Sequence, residues 1–137
     1  IVPAAGKPSF EIGEDEMEIG LGIHGEPGTH KEKIKTANKI TALLLDRILK
    51  DMKLGGDEEV AVLVNGLGGT PLMELYIVNR EVHKILKDRG IKVYKTIVGN
   101  YMTSLEMAGV SVSLLKLDGE LKELLDAKVD TPAFRQI

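Results

Sequence analysis

The run Val60-Ala61-Val62-Leu63-Val64 is apolar throughout and short, as suits a central strand of a sheet. It leads into a glycine loop, Asn65-Gly66-Leu67-Gly68-Gly69. Thr70-Pro71 follows, an N-cap with proline in the first helical position, opening a helix that extends to about Arg89. The inner face of that helix is Leu75, Val78, Val82, Ile85 and Leu86, at helical spacing, and Gly90 stops it. Ile91 to Val98 predicts a third strand, Val110 to Leu117 a fourth, and Glu120 to Ala127 a last short helix.

Upstream, the pattern has period two. Glu16, Glu18, Gly20, Gly22 and His24 lie on one side, and Met17, Ile19, Leu21 and Ile23 on the other, which predicts a half-buried first strand running to His24. Gly25-Glu26-Pro27-Gly28 forces a turn. Thr29 with Glu32 reads as a capping box for a helix over roughly 30–53, whose inner face includes Ile34, Ala37, Ile40, Leu44, Leu45 and Ile48, ended by Gly55-Gly56. The fold class is therefore α/β. We expect a two-layer sandwich, a mixed and mostly parallel sheet with helices on one face, and an open face carrying Glu16, Glu18, Gly20, Gly22 and His24.

A chain of 137 residues makes one domain. The 18 Lys and Arg against 21 Asp and Glu, net charge -3, give no support for a nucleic-acid partner or an anionic membrane surface. No apolar run approaches the roughly 18 residues of a spanning helix. With no cysteine there are no disulfides, thiol nucleophiles or thiolate metal sites, which fits a cytoplasmic location. The opening Ile1-Val2-Pro3-Ala4-Ala5-Gly6-Lys7-Pro8 reads as a linker. Residues 1–15 are accordingly expected to enter from a preceding N-terminal half, and residues 16–137 to form a second domain.

His24 is the sharpest chemical feature. On the expected strand, Gly20 and Gly22 leave a bare strip of roughly 7 Å, a floor on which a small ligand could lie with the imidazole at its edge. A neutral imidazole nitrogen serves as base, metal ligand or nucleophile, and the competing reading is a solvent-facing histidine whose glycines accommodate another element. Glu26 could hold the imidazole tautomer, although a turn carboxylate is usually just solvated. His30 and His83 read as surface helix residues, and His24, Glu26 and His30 lack metal-site spacing. The loop Gly66–Gly69 lies where phosphates bind in many α/β proteins, but it has neither the Walker lysine nor G-x-G-x-x-G, so a structural tight turn accounts for it. Lys31, Lys33, Lys35 and Lys39 read as a solvated face.

Three long stretches together resemble a known family. Met17-Glu18-Ile19-Gly20-Leu21-Gly22-Ile23-His24-Gly25-Glu26-Pro27-Gly28, Val64-Asn65-Gly66-Leu67-Gly68-Gly69-Thr70-Pro71-Leu72-Met73-Glu74-Leu75 and Val98-Gly99-Asn100-Tyr101-Met102-Thr103-Ser104-Leu105-Glu106-Met107-Ala108-Gly109 resemble, in this order, the C-terminal half of the dihydroxyacetone kinase substrate-binding (K) subunit. The resemblance implies that His24 bonds covalently to the carbonyl of dihydroxyacetone as a hemiaminal, selecting ketones and aldehydes over polyols such as glycerol. It implies a general base outside this chain, no cofactor or metal in it, and ADP or ATP with Mg on a nucleotide-binding L-type partner subunit or domain. Further implied partners are the N-terminal half of the same subunit and a second copy, as a homodimer. The phosphoryl donor, ATP or the phosphotransferase system, belongs to the partner. The alternative is a non-catalytic dihydroxyacetone-binding sensor or coactivator of transcription, which His24 alone does not separate from the kinase. A lipid-binding two-domain fold of related architecture is the weaker third class, since no long apolar groove signature is present.

Overall fold

The computed structural model describes residues 4, 6–8, 10–55 and 57–137. Ile1, Val2, Pro3 and Ala5 of the expected linker, and Gly56 of the expected helix stop, lie outside the described residues. The elements are β1 (Glu16–Ile19), β2 (His30–Lys33), α1 (Ala37–Met52), β3 (Glu59–Gly66), α2 (Leu72–Asp88), β4 (Lys92–Gly99), β5 (Val110–Leu117), α3 (Gly119–Asp126), β6 (Val129–Asp130) and β7 (Arg135–Gln136). The domain is mixed α/β, built on a mixed three-stranded sheet in the order β4-β3-β5. β3 pairs parallel with β4 across the α2 crossover and antiparallel with β5, with Val62 opposite both Thr96 and Leu114. The apolar run is thus the central strand, as its composition requires.

Val60, Val62 and Val64 turn one face of β3 toward Leu45 and Leu49 of α1 and Leu75, Val78, Val82 and Leu86 of α2, forming the core. Leu75 is 0% exposed. Leu75→Ala is expected to lower unfolding stability by about 3 kcal/mol through lost transfer energy and a residual cavity, measured as a shift in denaturation midpoint at unchanged slope. α2 closes on Gly90, φ +73°, in a Schellman arrangement. Gly90 N–H donates to the Lys87 carbonyl and Ile91 N–H to the Leu86 carbonyl, with Ile91 buried beneath. On the second face of the sheet, α3 is tied down by Tyr94 and Lys95. The Tyr94 hydroxyl donates to Asp126 at 2.5 Å, and Lys95 Nζ donates to Asp126 Oδ1 and the Leu125 carbonyl. These donors, Tyr94 first, hold the Asp126 carboxyl below the usual carboxylate range.

The N-terminal third departs from the expected pattern. The first strand stops at Ile19 instead of reaching His24, and it does not join the main sheet. It pairs antiparallel with β2, in a register that sets Glu16 opposite Lys33 and Glu18 opposite Lys31. Opposite charges across strands stabilise such a ladder, and His30–Lys33 has no apolar stripe to bury as helix. The helix expected from residue 30 therefore begins at Ala37, leaving Ile34 exposed. The Thr29–Glu32 capping box does not form: the Thr29 hydroxyl bonds the Ile19 carbonyl and Glu32 pairs with Lys35. α1 ends on Lys53 in the left-handed conformation, not on Gly55. At α2 the cap position is Pro71, because the Thr70 hydroxyl is spent on Gly109.

Candidate functional site

His24 stands in the loop that joins β1 to β2, and its side chain is 83% exposed. The loop is held by its own hydrogen bonds. Gly22 N–H donates to the Glu26 carbonyl at 3.0 Å and Gly25 N–H to the Gly22 carbonyl at 3.0 Å. Glu26 also reaches back: its Oε2 accepts from His24 N–H at 3.0 Å, and its Oε1 lies 3.3 Å from His24 Nδ1. Gly28 N–H donates to Glu18 Oε1 at 2.7 Å, and both the amide and the hydroxyl of Thr29 donate to the Ile19 carbonyl. The sequence Gly-Glu-Pro-Gly thus does more than turn the chain; its carboxylate organises the peptide that carries the imidazole.

A carboxylate only accepts, so a proton on Nδ1 is the one that can face Glu26; the neutral ring carrying that proton has its lone pair on Nε2. Gly20 and Gly22 do not form the bare strip of a continuous strand, because no strand continues past Ile19. Both lie in the same loop as His24. Gly20 has φ +79° against Thr29, and a Cβ at Gly22 would come within 2.1 Å of Glu26 Oε2. The space beside Gly22 is what lets the Glu26 carboxylate fold under His24.

His30 and His83 are placed differently from one another. His30 opens β2 instead of lying in a helix, while His83 lies on α2 with Nε2 2.9 Å from Thr96 Oγ1. Among the described residues no group of three His, Asp or Glu side chains converges as a metal site. A groove of about 730 Å³ is lined by His83, Lys84, Lys87, Ile91, Lys92 and their neighbours, none from the His24 loop.

The glycine loop is occupied by protein. Leu67 N–H donates to the Gly109 carbonyl and Gly69 N–H to the Met107 carbonyl, so segment 99–109 takes these two amides. Asn65 is the hub of this packing, buried at the end of β3. Its Oδ1 accepts from Tyr101 N–H and Met102 N–H, each at 2.9 Å, and its Nδ2 donates to the Met102 carbonyl and Ser111 Oγ. The signal for Asn65 was present in the chain: it is the polar residue that closes an otherwise apolar strand. Arg47, on α1, reaches the base of the His24 loop, donating from Nη1 to Thr29 Oγ1 at 2.8 Å. Nothing in helical periodicity marks that contact.

The hairpin loop thus presents an exposed imidazole in a mixed α/β domain. The chain belongs to the Dak1 domain family, which matches residues 1–133. It is 48% identical over 98% of its length to the dihydroxyacetone-binding subunit of PTS-dependent dihydroxyacetone kinase 2 from Listeria innocua, covering 40% of that protein. It is 51% identical, over 97% of its length and 41% of the relative's, to the corresponding subunit of kinase 1 from the same organism. Among solved structures it resembles the dihydroxyacetone kinase operon co-activator Dha-DhaQ, with a TM-score of 0.81 at 36% identity over 89% of this chain and 38% of that one. The chain thus spans about two fifths of the length of the curated relatives it matches.

Proposed function

We propose that this chain is the part of a cytoplasmic dihydroxyacetone-binding kinase subunit that captures the substrate through His24. The reading rests above all on the pairing of His24 with Glu26, which sets an acceptor beside Nδ1 and leaves the imidazole exposed on a hydrogen-bonded loop. In the proposed step the Nε2 lone pair attacks C2 of dihydroxyacetone, forming a C–N bond as the carbonyl π pair moves to oxygen. The Nδ1 proton leaves toward Glu26 and solvent, and the alkoxide takes up a proton, giving a neutral hemiaminal. Glycerol, lacking an electrophilic carbon, cannot react. A small ketone held this way has surrendered its translational freedom before phosphoryl transfer. Gly20 and Gly22 contribute by giving the loop its close turn next to the imidazole.

The exposure of His24 supports completion of the site by further protein. In the proposal, residues 1–15 lead in from an N-terminal half that supplies the general base. A nucleotide-binding partner supplies ADP or ATP with Mg, and two copies form the working dimer. The nearby co-activator structure supports a second reading, a sensor that captures the same ligand without turnover.

Addition of dihydroxyacetone labelled with ¹³C at C2 is expected to replace the carbonyl resonance of the bound fraction by one in the hemiaminal region, coupled to the His24 ring nitrogen. Glu26→Gln should keep the loop's backbone bond and weaken binding about tenfold by loosening the tautomer. A bound ligand that keeps its carbonyl resonance rejects covalent capture. Capture without phosphorylation in the presence of the nucleotide-bearing partner selects the sensor.

A further inference from the structure

The β1–β2 hairpin that carries His24 makes no ladder with the main sheet, so its position relative to the core depends on side chains. Among the described residues, the side-chain hydrogen bonds from α1 to this hairpin both come from Arg47. Nη1 donates to Thr29 Oγ1 at 2.8 Å and Nη2 faces His30 Nδ1 at 3.3 Å. His30 Nδ1 also lies 3.0 Å from Thr29 Oγ1, so the guanidinium, the hydroxyl and the imidazole meet at one point. His30 Nε2 lies 3.5 Å from Glu32 Oε1, a buried oxygen with no other hydrogen-bond partner, while Lys35 holds the opposite oxygen. Thr29 in turn locks Ile19 through two bonds to one carbonyl, closing the loop from residue 20 to residue 28. A chain of contacts thus runs from the core helix to both ends of the His24 loop.

We propose that Arg47 is a positioning residue for His24, its guanidinium fork gripping Thr29 and the Nδ1 edge of His30 so that the capture loop is held in one place on α1. The functional half of this proposal rests on capture of a small ketone by His24; the clamp itself does not. Arg47 is exposed and outside the hydrophobic core, so its replacement leaves the fold in place.

Amide hydrogen exchange on the protein and its variants provides the test. Arg47→Ala and Thr29→Val should each speed exchange of the His24, Gly25 and Gly28 amides about tenfold, as expected for loss of a charge-assisted hydrogen bond. The double variant should show no more than either alone, Thr29→Ser should behave as wild type, and α2 amides should stay unchanged. The ¹⁵N spectrum of the His30 ring should show a changed tautomer balance in Arg47→Ala. Affinity for dihydroxyacetone should fall in parallel with loop protection. Unchanged loop exchange in Arg47→Ala, or additive effects in the double variant, overturns the clamp. A loosened loop with unaltered dihydroxyacetone affinity overturns its positioning role. Failure of the wild-type protein to form a carbonyl adduct overturns the capture reading alone, because exchange and tautomer still decide the clamp.

Discussion

Replacement of His24 by alanine is expected to abolish adduct formation with dihydroxyacetone and to weaken its binding by about a hundredfold or more, since the covalent anchor of a very small ligand is lost. His24→Asn should behave the same way, because an amide nitrogen is not nucleophilic. Preference for dihydroxyacetone over glycerol should collapse with it: the discrimination proposed here is chemical, and what remains is a polar surface that treats a ketone and a polyol alike. The thermal midpoint should stay within a degree or two of wild type, as suits an exposed residue away from special features. The His24 side chain is 83% exposed and outside the core. Calorimetric titration with both ligands, together with intact-mass measurement under mild conditions, checks all three outcomes. Retained selectivity in His24→Ala would sink covalent capture.

The largest effect on stability is expected at Gly68. Its φ is +116°, and a Cβ built there would lie 2.0 Å from the Leu105 carbonyl oxygen. Neither stress has a cheap remedy. Side chains avoid that backbone region, and the obstacle is main chain belonging to a loop that Asn65 and Thr70 hold in place. Gly68→Ala should therefore lose about 3 kcal/mol or more of unfolding stability, or fail to accumulate as folded protein. Gly55→Ala is the control. That glycine has nothing within 4 Å of the added methyl and no positive φ, so its midpoint should shift little. Equal stability of the two variants in urea would show that segment 99–109 moves aside freely, contrary to the packing described.

Much of this was legible in the chain. Val60–Val64 could only be a covered strand, and the Leu75, Val78, Val82, Leu86 spacing could only bury one helix face against it; both are local patterns whose partner is the core itself. The glycine loop read as a tight turn, and its Leu67 and Gly69 amides bond to segment 99–109. The alternation from Glu16 to His24 misled, because period two says that a segment is extended and says nothing of which strand it pairs with. Charge pairing with His30–Lys33 withdrew β1 from the sheet and placed His24 in a loop. His24 stood out in its motif as the candidate nucleophile, whereas the placement of a carboxylate beside Nδ1 came from Glu26 folding back beside Gly22. Sequence alone thus determined the α/β layers and singled out His24 as the candidate imidazole, because hydrophobic period and residue chemistry are local properties. Tertiary structure decided the orientation of that imidazole and its tether through Arg47, Thr29 and His30, because hydrogen bonds between residues 17 and 18 apart exist only once the hairpin has settled on α1.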